Sequence, residues 1–260
     1  MERNMITEHP LTKVNRIQLA RAFRNVPRVD VSIECVIEGQ MGKAYVDNIQ
    51  SPSVYKIQTG PFFYFAGDAS EEGGQELLKN IQPWTLFMPS AEGWIEAGKR
   101  MYGERLIGFD RYSFSSECLS LEHLERLSIV SAFSKDLKQM DLALATQVWD
   151  QEHFIDLAEF DSPSDFVGRG IGYYVERNGK IIGAAFSSLV SSKGIEVSIF
   201  VSEDYRRQGM ATALAASLLK WCLENNTDPH WDAANPESCR LAEKLGYIPK
   251  GKYQAYYLEG

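Results

Sequence analysis

The sequence predicts an α+β protein on mixed β-sheet, folded as two domains. Three observations carry this. The second half reads as three strands, a helix, a strand, a helix and a strand, the order of a sheet layered with helices. The first half opens with a dense block of β-rich runs cut by Gly, Pro and Asn. At 260 residues, the chain can hold a full core and lies between the usual lengths of one domain and two.

In order, strands are predicted in "DVSIECVIEG", "KAYVDNI", "SVYKIQTG" and "FFYFAG", then a helix in "SEEGGQELLKNI" and a strand in "WTLFM". A helix through "AEGWIEAGKRMYG" and a strand in "LIGFDRYSFS" complete the first domain, 1–120. The polar segment from Ser115 to Glu125 is the expected joint. The second domain, 121–260, begins with a strand in "LSIVSAF" and a long helix in "KDLKQMDLALATQVWDQ". Strands follow in "GYYVERN", "KIIGAAFSSLV" and "IEVSIFV", the first two joined by Asn178-Gly179, the pair favoured in a type I′ hairpin. A helix begins after Gly209, then come a strand at "HWDAA", a helix at "PESCRLAEKLG" and a strand at "YQAYYL". The halves also echo one another. Trp84-x4-Pro89 and Trp231-x4-Pro236 each precede a helix, and Glu71 and Glu72 stand where the second half has Arg206 and Arg207. The first domain is expected to be either a diverged copy, in which case it has lost an anion site, or a related α+β unit.

Composition narrows the function. With 44% apolar and 24% charged residues, the chain reads as an ordinary globular protein. Its apolar runs are too short to span a bilayer, and "MERNMITEHPLTK" lacks the apolar core of a secretory signal. Cys35, Cys118, Cys222 and Cys239 have no metal or disulfide spacing, so a cytoplasmic protein with reduced thiols and no metal is expected. A net charge of -8 argues against nucleic acid as a partner, and nothing points to a membrane.

Against that charge, "SEDYRRQGMATALAASLLKWC" is unexpected. Arginines oppose the positive end of a helix dipole unless an anion sits there. Met210, Leu214, Leu218, Trp221 and Cys222 recur at helical spacing, and Gly209 lets a ligand approach the backbone. Unpartnered first-turn N–H groups beside two arginines form a ready site for a pyrophosphate.

"RRQGMA", Arg206 to Ala211, resembles the Arg/Gln-x-x-Gly-x-Gly/Ala signature of the GCN5-related N-acetyltransferases, and "NPESCRLAEKLGY" falls in that family's order. Glu196-Val197, Tyr205 to Thr212, Trp231, Asn235 and Ser238 resemble the zwittermicin-resistance-type branch. The resemblance covers about the last half of the chain. It implies an acetyl-CoA donor and a small-molecule primary amine as acceptor. It implies that the backbone of Arg207, Gln208, Gly209, Met210, Ala211 and Thr212 holds the pyrophosphate, with Arg206 and Arg207 beside it. The backbone of Phe200 and Val201 would pair with the pantetheine arm, and Asn235 would bond the arm from the other side.

Acetyl transfer needs a base for the ammonium, a donor for the oxyanion and a departing thiolate. Strand alternation puts Val197, Ile199 and Val201 on one face and Glu196, Ser198 and Phe200 on the other. Glu196 is a candidate base, as the family often uses a Glu on this strand; a strand glutamate facing solvent or held in an ion pair is the alternative. The backbone near Val201 is the family's usual oxyanion donor. Where many relatives carry a tyrosine general acid, this chain has Ala242. Ser238, four residues earlier on the same helix face, could anchor a water that protonates the sulfur. A non-catalytic acyl-CoA-binding protein is the rival reading. "GWIEAGKR" matches the core of a P-loop but has Arg100 where the loop needs Ser or Thr, so it reads as a helix face. His230 reads first as a structural residue at a strand start and only second as a base, though it lies near the cleft. His9, His123 and His153 lack metal-ligand partners. The aromatics read first as core, with Trp94, Phe109 and Tyr112 as candidates to line a cleft.

Overall fold

The computed structural model describes residues 6–79, 81–149 and 154–260. The chain forms two compact units: Met1–Arg111 with Lys252–Gly260, and Tyr112–Gly251. The change of unit thus falls at 111/112 instead of 120/121, and the last nine residues return to the first unit.

The first unit contains β1 (Thr7–Glu8), α1 (Lys13–Ala22), α2 (Ser32–Ile37), β2 (Lys43–Val46), β3 (Tyr55–Thr59), β4 (Phe62–Ala66), α3 (Glu72–Lys79), β5 (Leu86–Phe87), α4 (Glu92–Tyr102) and the start of β6 (Leu106–Ser115). Strands β1 to β4 pair antiparallel in sequence, and β5 joins β4 in parallel. Two apolar clusters cover the sheet, one with Leu19, Phe23, Ile57 and Tyr64, the other with Phe65, Leu77, Phe87 and Trp94. The stretch 32–37 is helical although its β-branched residues favour a strand. Burial of Ile33 and Val36, three apart, selects the helix, and Asp30 Oδ1 accepts from Ser32 N at its entry. Trp94 lines no cleft: it is fully buried, stacks on Phe65 and donates to Gly67 O at 3.0 Å. Its segment is the helix α4, as the bulky residues between the glycines required.

The second unit contains α5 (Leu121–Val130), β7 (Lys138–Gln139), α6 (Leu142–Trp149), α7 (Pro163–Arg169), β8 (Gly172–Arg177), β9 (Lys180–Ser191), β10 (Gly194–Val201), α8 (Met210–Glu224), β11 (Pro229–His230), β12 (Asp232–Ala233), α9 (Pro236–Leu245) and the start of β13 (Ile248–Leu258). Its sheet has the order β11-β10-β9-β8-β7. Residues 127–130, expected in a strand, end α5, a helix capped by Ser120. The expected long helix is a 3-10 turn, β7 and then α6, because Lys138 and Gln139 pair with β8; its last two residues and His153 lie outside the described residues. The β8–β9 hairpin turns through Asn178 and Gly179, both at positive φ (52° and 73°) as type I′ requires. Helix α8 packs on the sheet through Met210, Leu214, Leu218 and Cys222, against Val175, Ile182, Ala185 and Ile195.

The element order β1-α1-α2-β2-β3-β4-α3-β5-α4-β6 recurs as β7-α6-α7-β8-β9-β10-α8-β11/β12-α9-β13, with α5 between. The pairing recurs too: three antiparallel strands, then a parallel fourth. The two tryptophans of the sequence echo do not share an environment. Trp84 is 66% exposed and stacked on Tyr257, whereas Trp231 is buried.

Candidate functional site

The site grows from an interruption in the second sheet. Strand β11 runs parallel to β10 for only two register pairs, Ile195↔Pro229 and Glu196↔His230. One residue later the chain leaves this sheet, and β12 pairs with Ser113 and Tyr112 of β6. Among the described residues, Val197–Val201 therefore has strand pairing only towards β9. Its other edge offers backbone N–H and C=O groups to an extended ligand. A register shift in the β9 pairing falls between Glu196 and Val197, so the irregularity and the divergence begin together. The sequence reading missed this split because "HWDAA" is one continuous β-rich run.

The edge leads through a 3-10 turn, Glu203–Tyr205, into α8. Arg207 and Gly209 both have positive φ, 61° and 86°. Gly209 is the N-cap, so α8 starts with no side-chain cap and no acid in its first turn. Its first N–H groups remain available to an anion. Arg206, Arg207 and Gln208 are exposed around them. Arg206 Nε donates to Val201 O at 3.1 Å, tying the turn to the strand end, and lies 3.5 Å from Glu203 Oε1. Gln208 Nε2 donates to Asp204 O at 2.9 Å, which turns that side chain away from an anion-binding role and leaves its backbone free to serve. A third cation escaped the sequence reading: Lys244 of α9 places Nζ 3.2 Å from Thr212 Oγ1 in the first turn of α8. No local pattern marks it, because the meeting is tertiary.

On β10, Ile195, Val197, Ile199 and Val201 face the α8 cluster, which puts Glu196, Ser198 and Phe200 on the opposite face. Glu196 is 8% exposed. Phe154, 75% exposed, stacks on Phe200 with ring centroids 4.6 Å apart and planes 11° from parallel. Asn235 caps α9, Oδ1 accepting from Ser238 N at 2.9 Å, and its side-chain N–H groups stay available. Ser238 Oγ accepts from Trp231 Nε1 at 3.1 Å, so the hydroxyl already anchors a core tryptophan. Ala242 is fully buried, and Tyr247 donates to Pro229 O at 2.7 Å. Burial, then the carboxylates and thiol around it, push the Tyr247 phenol far up, so it stays protonated. Burial likewise pushes the Cys222 thiol up to about 12. His230 Nε2 lies 3.3 Å from Asp228 Oδ2, and Asp228 Oδ1 accepts from Ser116 Oγ. The His230 bond, the Ser116 bond and nearby cations hold the Asp228 carboxyl low against its desolvation.

An open strand edge running into an uncapped, cation-flanked helix start can hold an extended anionic ligand. The comparisons agree. Residues 24–256 match the GNAT acetyltransferase family, and the chain belongs to it. It is 25% identical over 230 residues to an uncharacterized N-acetyltransferase, YdfB, of Bacillus subtilis, covering 83% of this chain and 85% of that one. The crystal structure of a GCN5-related N-acetyltransferase-like protein from Streptococcus suis is 30% identical, with a TM-score of 0.81, covering 93% of this chain and 97% of its own. A tandem GNAT protein from the clavulanic acid biosynthesis pathway, 12% identical, shares the fold with a TM-score of 0.52, over 96% and 97% of the two chains. The protein is an N-acetyltransferase, and the reading of a non-catalytic binding protein gives way. Among the described residues, no helix is long and apolar enough to cross a membrane.

Proposed function

We propose that the protein acetylates the primary amine of a small molecule, taking the acetyl group directly from acetyl-CoA. The observation that carries this is the open Val197–Val201 edge ending at the uncapped start of α8. Acetyl-CoA supplies the activated acyl group and a stable leaving thiolate. The backbone of residues 207–212 holds the pyrophosphate, with Arg206, Arg207 and Lys244 neutralising its charge. The edge at Phe200 and Val201 aligns the pantetheine arm, steadied by the side-chain amide of Asn235. Glu196 accepts the ammonium proton, which frees a nitrogen lone pair for attack, and the Val201 N–H stabilises the oxyanion. Ser238 Oγ accepts from Trp231 Nε1 and keeps its O–H and a second lone pair, with which it anchors a water that protonates the departing sulfur.

The Phe154–Phe200 stack on the Glu196 face favours an amine carrying a flat apolar group, since the rings offer apolar area and a quadrupole to a cation. Within the family, the zwittermicin-resistance-type branch is the proposed neighbourhood. The first unit is proposed to be a diverged GNAT copy, supported by the recurring element order and pairing. Calorimetric titration with acetyl-CoA and CoA tests the reading, on the parent protein and on Arg206→Ala/Arg207→Ala. Binding that the variant weakens supports it; no binding to the parent sinks it.

A further inference from the structure

Acetylating an ammonium removes two protons from nitrogen. One ends on the departing sulfur, and the other must reach solvent in every turnover. Glu196 is 8% exposed, so a proton it accepts has no direct way out. The residue in register with it across the short parallel pairing is His230. Parallel register partners present their side chains on the same face of a sheet, with strands about 4.8 Å apart. The His230 side chain is 32% exposed and so connects that face with water. With Nε2 turned to Asp228 Oδ2 at 3.3 Å, the imidazole keeps its other nitrogen as a proton acceptor. Asp228 is itself fixed by Ser116 Oγ and stabilises an imidazolium once formed. A neutral imidazole on the same face as Glu196 can take the proton while the carboxylate reforms.

We propose that His230, held by Asp228, is the proton exit of the acetyl transfer: Glu196 takes the ammonium proton, passes it to His230 as the carboxylate reforms, and His230 releases it to water. This rests on the reading of Glu196 as base. His230 touches neither the acceptor nor the thioester; it acts through Glu196. A histidine that only fills space would be replaceable by glutamine, which keeps a donor for Asp228 but carries no proton.

The test uses the full chain with His230→Gln and His230→Ala, following acetyl-CoA consumption with 2-phenylethylamine and its slower hydrolysis with water as acceptor. Both reactions leave one proton for the solvent. The expected result is a fall in kcat of about a hundredfold in both variants, the low end of acid–base contributions. KM and calorimetric affinity for acetyl-CoA stay unchanged, and added imidazole restores turnover in the alanine variant. Full kcat in His230→Gln would overturn the proposal, as would a loss matched by weakened acetyl-CoA binding. A parent protein that binds no acetyl-CoA defeats the acetyl-transfer reading, whereas normal parent turnover with a fully active glutamine variant defeats the relay alone.

Discussion

Two turns occupy the same place in the element order, 67–71 before α3 and 202–209 before α8, and their chemistry is opposite. At the entry to α3 the chain carries Glu71, and Glu72 opens the helix; Glu71 accepts from Ser53 Oγ at 2.6 Å. Before α8 it carries Arg206 and Arg207 and leaves the first turn uncapped. The strand edges differ in the same sense. In the first unit the chain after β5 keeps bonding to β4: Met88 N donates to Phe63 O, and Phe65 N donates to Ser90 Oγ, both at 2.9 Å. In the second unit β11 hands over to β12 after two pairs, and the edge stays open. The same element order therefore carries one strand edge that stays bonded and one that stays open, decided by a few side chains and by where the fourth strand departs.

The largest expected effect breaks the open side. Glu196→Gln should lower kcat by about 10²- to 10⁴-fold, with calorimetric affinity for acetyl-CoA unchanged. A drop in affinity instead would make Glu196 structural. Trp94→Ala attacks the bonded side. Removing a fully buried indole that stacks on Phe65 should cost about 3–5 kcal/mol in denaturant unfolding. A third change sharpens the contrast between the turns. Arg206→Ala/Arg207→Ala should weaken acetyl-CoA binding by about ten- to a hundredfold at low salt, and by less as salt screens the exposed charges.

The smallest effect concerns a cation in the first unit. Lys56 is buried between the rings of Tyr45 and Phe63, its nitrogen 4.5 and 4.7 Å from their centroids. Burial pushes its ammonium down to about 8. Between pH 8 and the ordinary lysine value near 10.5, the unfolded chain holds the proton that the folded chain has lost. Stability therefore rises with pH across that window, and the burial cost is fully present below it. Lys56→Met should gain roughly 1–2 kcal/mol at pH 7, the ring contacts offsetting part of the cost, and less at pH 10. An equal gain at both values would show that charge burial is not the cause.

Much of the site was legible because it is local. The arginine pair, Gly209 and the apolar period of α8 sit within one stretch, and strand alternation placed Glu196 opposite Val197 without reference to any neighbour. The Asn178-Gly179 turn fixed its hairpin because few residue pairs accept two positive φ values. Misreadings fell where burial outweighs propensity. "SIECVI" became a helix to bury Ile33 and Val36, and 127–130 extended α5 where a strand was expected.

By itself, the sequence determined the mixed-sheet class, the place of the arginine-glycine turn before α8 and the strand face that carries the candidate base, since each follows from spacing along one element. Only the tertiary structure decided that β11 parts from β12 at Trp231, that Lys244 joins the turn, that Trp231 donates to the Ser238 hydroxyl and that His230 stands in register with Glu196. It also decided that residues 252–260 fold with the first unit. Each of these depends on pairing between segments far apart in the chain, and long-range pairing is chosen by the burial and backbone bonding of the whole unit, which no local pattern records.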